Sequence, residues 1–265
     1  MRLSLLALLI TAALTAAGHA RDASRVVSIN LCTDQLAMVL AQPGQLASVS
    51  FLAADANSSA LANEARAYPL NYGSAEEIFA FKPTLVLAGT YTTRATIALL
   101  KRLGIAVEEF APETSLADVR GNILRMGALL GREEQAAALA KALDSSVPEA
   151  RSAPTAGKTA VIYMFGGYTP GANSLAGDVV RAAGYTLANR AGGKVPLETL
   201  LLNPPHTLIL GSAASAAPVA GDALFRHPAL KAVASSAEVI PVPDRYWQCG
   251  GPWTAQALKL LSRPR

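Results

Sequence analysis

The side chains able to do covalent or metal chemistry are few, and their spacing restricts what they can do. Histidine occurs three times, at His19, His206 and His227. His206 and His227 each stand beside a proline without a carboxylate at ligand spacing, so both read as surface-loop residues and no protein-built metal site is expected. No GxSxG elbow, HExxH helix, phosphate loop or GxGxxG turn occurs, which gives an exported hydrolase no recognisable nucleophile or base. Two cysteines, Cys32 and Cys249, form no CxxC pair. What remains is a chemistry of contact. Tyr91 and Tyr168 stand near glycines in polar stretches, and Tyr246-Trp247 precedes the turn Gly250-Gly251-Pro252. The expectation is binding without turnover, so neither catalytic residues nor a cofactor are assigned.

The N-terminus decides where the working chain begins. Arg2 is followed by an apolar run from Leu3 to Ala17, and Gly18-His19-Ala20 supplies small residues for cleavage after Ala20. A membrane anchor is the competing reading, but the run is shorter than the ~20 residues a span needs and polar Arg21-Asp22 follows at once. Residues 1–20 are therefore read as a secretory signal, so the mature chain is expected in an oxidising space outside the cytoplasm. Nothing after residue 20 reads as a span. The 23 basic and 19 acidic residues are scattered singly, without the basic tract that binds a phosphate backbone, so no nucleic-acid partner is expected.

Beyond the signal, short aliphatic runs alternate with amphipathic stretches. Arg25 to Ile29 reads as a strand, and Thr33-Asp34 opens a helix with Leu36, Val39 and Leu40 on one face, stopped by Pro43-Gly44. Ser74 has capping-box spacing to Glu77 and starts a helix that yields at Pro83 to the strand Leu85 to Ala88. A helix over 92–103 ends at Gly104, and 105–110 returns to the sheet. Ser115 caps a helix whose buried face is Leu116, Val119, Ile123, Met126 and Leu130, closed by Gly131. A second helix runs from Arg132 to Val147, where Pro148 should end or kink it. This is α/β alternation, the pattern of mainly parallel sheets covered by helices.

The pattern then repeats. Glu76, Ile78, Pro83 and Gly89 recur 122 positions later as Glu198, Leu200, Pro205 and Gly211, and the strand Leu85-Val86-Leu87 is matched by Thr207-Leu208-Ile209. Two copies of one unit with helices between them imply two similar lobes: 21–130, a connecting helix at 131–150, and 151–265. Ligands of open α/β sheets sit beyond the carboxyl ends of the strands, so facing lobes create a cleft there.

Arg25-Val26-Val27-Ser28-Ile29-Asn30, the segment Lys82 to Gly89, Tyr163-Met164-Phe165-Gly166-Gly167, the stretch Val195-Pro196-Leu197-Glu198 through Pro205, and Ile240-Pro241-Val242-Pro243 with Tyr246-Trp247 are in the order and spacing of one family. The chain resembles the periplasmic substrate-binding proteins of iron-siderophore, haem and vitamin B12 importers over essentially its whole mature length. The resemblance implies two lobes joined by one long helix, a small hinge motion and a bulky metal chelate or corrinoid held between them. It also implies a monomer whose partner is the permease of an ABC transporter in the inner membrane. A binding protein for free metal ions and a sensory module of the same fold are the alternatives.

Such a ligand requires aromatic faces and a few oriented polar groups on loops after the strands. Asn30, Phe51, Tyr91, Arg94, Phe165, Tyr168, Lys194, Tyr246 and Trp247 meet that description. Phe51 and Phe165 end apolar strands and read equally as core, and Arg94 and Lys194 read equally as solvated charges. Cys32 and Cys249 both fall in strand-to-helix turns and are either one disulfide tying the lobes or two separate thiols. In the family resembled, paired acidic residues on the lobe tips engage permease arginines, a role that falls here to Glu76 and Glu198. The competing reading is a carboxylate gaining ~0.3 to 1 kcal/mol from a helix dipole.

Overall fold

The computed structural model describes residues 22–153, 155, 157–211 and 227–263, so the signal segment lies outside the described residues. Five strands, β1 (Val26–Ser28), β2 (Leu46–Ser50), β3 (Leu70–Asn71), β4 (Leu85–Gly89) and β5 (Ala106–Phe110), form one sheet in the order β3-β2-β1-β4-β5. All neighbouring pairs are parallel, with Val26 opposite Leu85 and Ser28 opposite Leu87. The interior strand β4 is buried throughout and is apolar without interruption, because helices cover both of its faces. Leu85 and Leu87 point to one face with α1 (Leu31–Leu40). Val86 and Ala88 point to the other, with Ile78 of α3 (Ala75–Ala80) and Ile97 and Leu100 of α4 (Arg94–Arg102). A four-residue helix, α2 (Ala62–Ala65), lies between β2 and β3.

Two helices then leave this lobe. The first, α5 (Leu116–Leu130), begins where Ser115 Oγ accepts the Asp118 N–H at 3.1 Å and ends on Gly131, which takes the left-handed conformation at φ 66°. The second, α6 (Glu133–Arg151), has 19 residues and spans ~28 Å. The two cross closely at Gly127, where a Cβ would lie 2.2 Å from Ala136 Cβ. Of the two outcomes expected at Pro148, an end or a kink, the helix does not end there. Pro148 sits inside the last turns, where the lost N–H bond affects a single carbonyl, and buried Ala150 holds the continuation against the core.

The second lobe repeats the first. Strands β6 (Thr159–Tyr163), β8 (Thr186–Leu187), β10 (Thr207–Leu210) and β11 (Glu238–Pro241) form a parallel sheet in the order β11-β10-β6-β8. Its helices are α7 (Leu175–Ala182), α8 (Leu197–Leu202), α9 (Pro228–Ser236) and α10 (Thr254–Leu261). Between β6 and α8, β7 (Tyr168–Thr169) and β9 (Gly193–Lys194) pair as an antiparallel ribbon. The order β8-β6-β10-β11 matches β2-β1-β4-β5 strand for strand, and α8 and β10 start 122 positions after α3 and β4. One core joins the lobes: Leu87 of the first sheet and Ile162, Ile209 and Ile240 of the second share a cluster with Ala136, Ala140 and Leu143 of α6.

Candidate functional site

The carboxyl ends of the two sets of strands meet. Cys32, in the first turn of α1 after β1, is bridged to Cys249, beyond β11, with Cα atoms 5.0 Å apart. Nearby, Arg245 Nη1 donates to the Ala56 carbonyl across the lobes at 3.4 Å. Leu116 N–H donates to Asp178 Oδ2 at 2.8 Å beside the same seam. A cavity of about 440 Å³ opens there, walled by Glu113 and Thr114 after β5 and by Met164, Tyr168, Asp244 and Trp247 of the second lobe. A larger hollow of about 940 Å³ lies at the opposite end of the first sheet, among residues preceding β1 and β2 such as Ser24 and Gln45. Among the described residues none of its lining is aromatic, and it lies away from the carboxyl ends of the strands, so the smaller cavity is the candidate site.

The first lobe carries an aromatic rim at its strand ends, outside the described lining of the 440 Å³ cavity. Phe51, at the start of the 3-10 turn Phe51–Ala54 after β2, is 44% exposed and stacks on Tyr72, with ring centroids 5.1 Å apart and planes 21° apart. Tyr72, the residue following β3, is exposed and was absent from the sequence reading. The signal was present: Tyr72 precedes Gly73, the same aromatic-beside-glycine setting that singled out Tyr91 and Tyr168. Tyr91 follows β4 and is 88% exposed. The strand ends thus carry three exposed rings, a surface suited to a large planar ligand.

Other candidates are engaged elsewhere. Asn30 is the N-cap of α1: its Oδ1 accepts the Cys32 and Thr33 N–H groups at 3.0 and 3.4 Å. The helix consequently opens earlier than Thr33-Asp34, and those two residues are buried in its first turns. Arg94 is not a free cation, since its guanidinium pairs with Glu109 at 3.0 Å, and Glu109 also accepts from Lys101 at 2.8 Å. The Lys101 hydrogen bond, with help from Arg94, holds the Glu109 carboxyl below its usual range. Lys194 of β9 pairs with Tyr168 across the ribbon, yet lines a separate hollow of about 410 Å³ with Tyr163, Glu198 and His227. There burial, and then the Glu198 charge, push the Tyr163 phenol up. Phe165 opens the 3-10 turn Phe165–Gly167, and its side chain lies outside the described residues.

The aromatic pair at the end of the chain divides. Tyr246 is half-buried under the Arg245 guanidinium, 5.0 Å from its ring centre. Trp247 is not presented outward as expected: it is 3% exposed, because the neighbouring Cys249 bridge and the buried turn at Gly250 draw the segment into the core. Its indole still lines the 440 Å³ cavity, and among the described residues Nε1 has no hydrogen-bond partner. Both histidines serve local structure. His206 Nδ1 bonds Thr159 Oγ1 at 2.8 Å, and His227 Nδ1 caps α9 by accepting the Ala229 N–H at 3.1 Å. Among the described residues, no three His, Cys, Asp or Glu side chains converge as a metal site would require. Glu76 and Glu198 are exposed in the first turns of α3 and α8.

A two-lobed parallel α/β protein with a cleft at its strand ends defines a class, and the family model described as periplasmic binding protein matches residues 26–238. The chain belongs to that family. Among solved structures, it is similar to the periplasmic haem-binding protein RhuT of Roseiflexus sp. RS-1, at 21% identity and TM-score 0.73 over 91% of this chain and 97% of that one. It is also similar to the haem-binding protein HutB of Vibrio cholerae, at 15% identity and TM-score 0.74 over 90% and 97%. The vitamin B12-binding protein BtuF of Vibrio cholerae matches at 16% identity and TM-score 0.69 over 90% and 95%. At these identities the likeness establishes the fold. No match was found among curated protein sequences.

Proposed function

We propose that this protein is the periplasmic solute-binding component of an ABC importer, capturing a metal chelate and delivering it to the permease. The observation that carries the reading is the cleft: Phe51, Tyr72, Tyr91 and Tyr168 expose rings at the carboxyl ends of the strands, and the buried Trp247, whose Nε1 has no hydrogen-bond partner among the described residues, lines the cavity between the lobes. Flat apolar faces with few fixed polar groups suit haem, a corrinoid or an iron-siderophore. Family neighbours named for haem and vitamin B12 binding support that class. Residues 1–20 supply export, and the exposed Glu76 and Glu198 supply the two charges that orient the loaded protein on the permease. If the chelate is haem, the donors at the cleft edge are the Tyr91 and Tyr168 phenols, because His206 and His227 are held by Thr159 and Ala229.

The test is to purify the mature chain and titrate it with haemin, cyanocobalamin, a ferric catecholate and a ferric hydroxamate, following visible spectra and native mass. Saturable binding of one member, recovered chemically unchanged, is the expected result. No binding to any of the four, together with hydrolysis of a generic ester or peptide, would overturn the reading.

A further inference from the structure

The helices carrying Glu76 and Glu198 repeat each other beyond their glutamates. Each of α3 and α8 is six residues long. The first and fourth residues are buried in both, as Ala75 and Ile78 in one and Leu197 and Leu200 in the other. In both, the second residue is an exposed glutamate and the fifth is a large apolar side chain in solvent: Phe79 is 52% exposed and Leu201 44%. Leu202, the last residue of α8, is 80% exposed. Second and fifth positions lie on one helical face, so each lobe presents a carboxylate one turn from an apolar side chain.

A single exposed leucine or phenylalanine needs no explanation. Recurrence of the apolar group at the equivalent position of a second lobe, beside the recurring carboxylate, does. The helices need neither feature for their own stability, since Ser74 already caps α3 and the buried pairs already anchor both helices.

We propose that Phe79 and the Leu201-Leu202 pair are the apolar anchors of the surface that meets the membrane permease, one anchor beside each docking glutamate. The proposal rests on the docking role assigned to Glu76 and Glu198. The partner it fits is a membrane protein with two equivalent halves, each presenting a basic side chain next to an apolar hollow. Two like faces on two like lobes match such a partner. The charges steer and orient the encounter, whereas desolvated apolar side chains set how long the complex lasts.

The test uses the full mature chain and its cognate importer reconstituted in lipid nanodiscs, with association and dissociation rates measured over a range of salt. The variants are Phe79→Ser with Leu201→Ser and Leu202→Ser, and Glu76→Lys with Glu198→Lys. Thermal melting and chelate binding of each verify that the exposed substitutions leave the fold intact. The serine variant is expected to dissociate at least tenfold faster with the salt dependence of association retained, and Phe79→Leu with Leu201→Met and Leu202→Met to restore slow dissociation. The lysine variant is expected to lose salt-dependent association. Wild-type dissociation from the serine variant, with the lysine variant defective, overturns the apolar anchors and leaves the glutamate docking standing. Wild-type behaviour from both variants overturns both.

Discussion

At the scale of single residues, the structure separates side chains that hold the cleft from those that can face its contents. Trp247 does both. Its burial means that Trp247→Ala would open a core cavity at a cost of ~3 to 5 kcal/mol, so that variant confounds folding with binding. Trp247→Phe keeps most of the ring and removes only the N–H that finds no acceptor among the described residues. Loss of one ligand hydrogen bond is worth about 1 kcal/mol, so Trp247→Phe should weaken chelate binding by about five- to tenfold with little change in stability. Unchanged affinity in the same titration would assign the indole to packing alone. Asp34 is a different case, placed in α1 by its pattern but with nothing in the sequence to announce its environment. The carboxyl is fully buried, accepts Ser50 N–H at 3.1 Å and bonds Ser50 Oγ. Burial, opposed by the Ser28 and Ser50 hydrogen bonds, raises its pKa to about 6 from an ordinary 3.8. A raised acid pKa means that the fold favours the proton. The stability this contributes is full below pH ~4, is lost as pH rises toward ~6, and is absent above that, a change of about 3 kcal/mol. Asp34→Asn, which stays neutral, should therefore gain on the wild type between pH 4 and pH 7 in paired urea titrations. A pH-independent difference between the two proteins would contradict this account.

At the scale of elements, legibility followed from how local the determining interactions are. The ends of α5 were readable because Ser115 and Gly131 act on backbone groups within a few residues of themselves. The start of α1 was misread for a related reason: Asn30 and Thr33 are both acceptable caps, and the choice fell to Asn30, whose amide also fits against side-chain-free Gly89. Capping-box spacing at Ser74 and Glu77 predicted only half of the contact. Ser74 Oγ does accept the Glu77 N–H, but the Glu77 carboxylate accepts the Tyr72 N–H at 2.7 Å. That bond fixes the backbone at the base of the Tyr72 ring and so links a helix start to the aromatic rim. Pro148 was read from its intrinsic cost, which the packing of the last turn of α6 outweighs. The β7–β9 ribbon and the two-residue strand β8 were illegible because runs that short carry no period. They matter to the site, since the ribbon delivers Tyr168 to the cavity and Lys194 to the neighbouring hollow.

At the scale of the whole molecule, the 122-residue repeat made two lobes facing each other at their strand ends legible, while the contacts that hold the seam required the structure. The same distinction governs the cysteines. Their places after the first and last strands were apparent, but pairing depends on a Cα separation that no spacing encodes, and it is 5.0 Å. The bridge spans 217 positions, joining the first turn of α1 to the segment that carries Trp247 and Gly250. Around it that segment has other attachments across the seam: Arg245 reaches Ala56, and Gly250 N–H reaches Glu113 Oε2 at 3.4 Å. Both are long and involve partly exposed groups, so the covalent link dominates how far the lobes can separate at this edge. Loop-closure entropy for so large a loop gives an upper figure of about 5 kcal/mol, and measured losses for removed native bridges run ~2 to 5. Replacing Cys32 and Cys249 together by serine should lower unfolding free energy within that range. It should also do something a purely entropic staple would not. If the bridge limits opening of the cleft, amide exchange across residues 244–253 will quicken in the native state and a bound chelate will leave faster, even in conditions where the variant is fully folded. Hydrogen exchange by mass spectrometry and stopped-flow displacement measure the two effects directly. Lowered stability with exchange across 244–253 and chelate release unchanged would restrict the bridge to the unfolded chain and leave the hinge to α5 and α6.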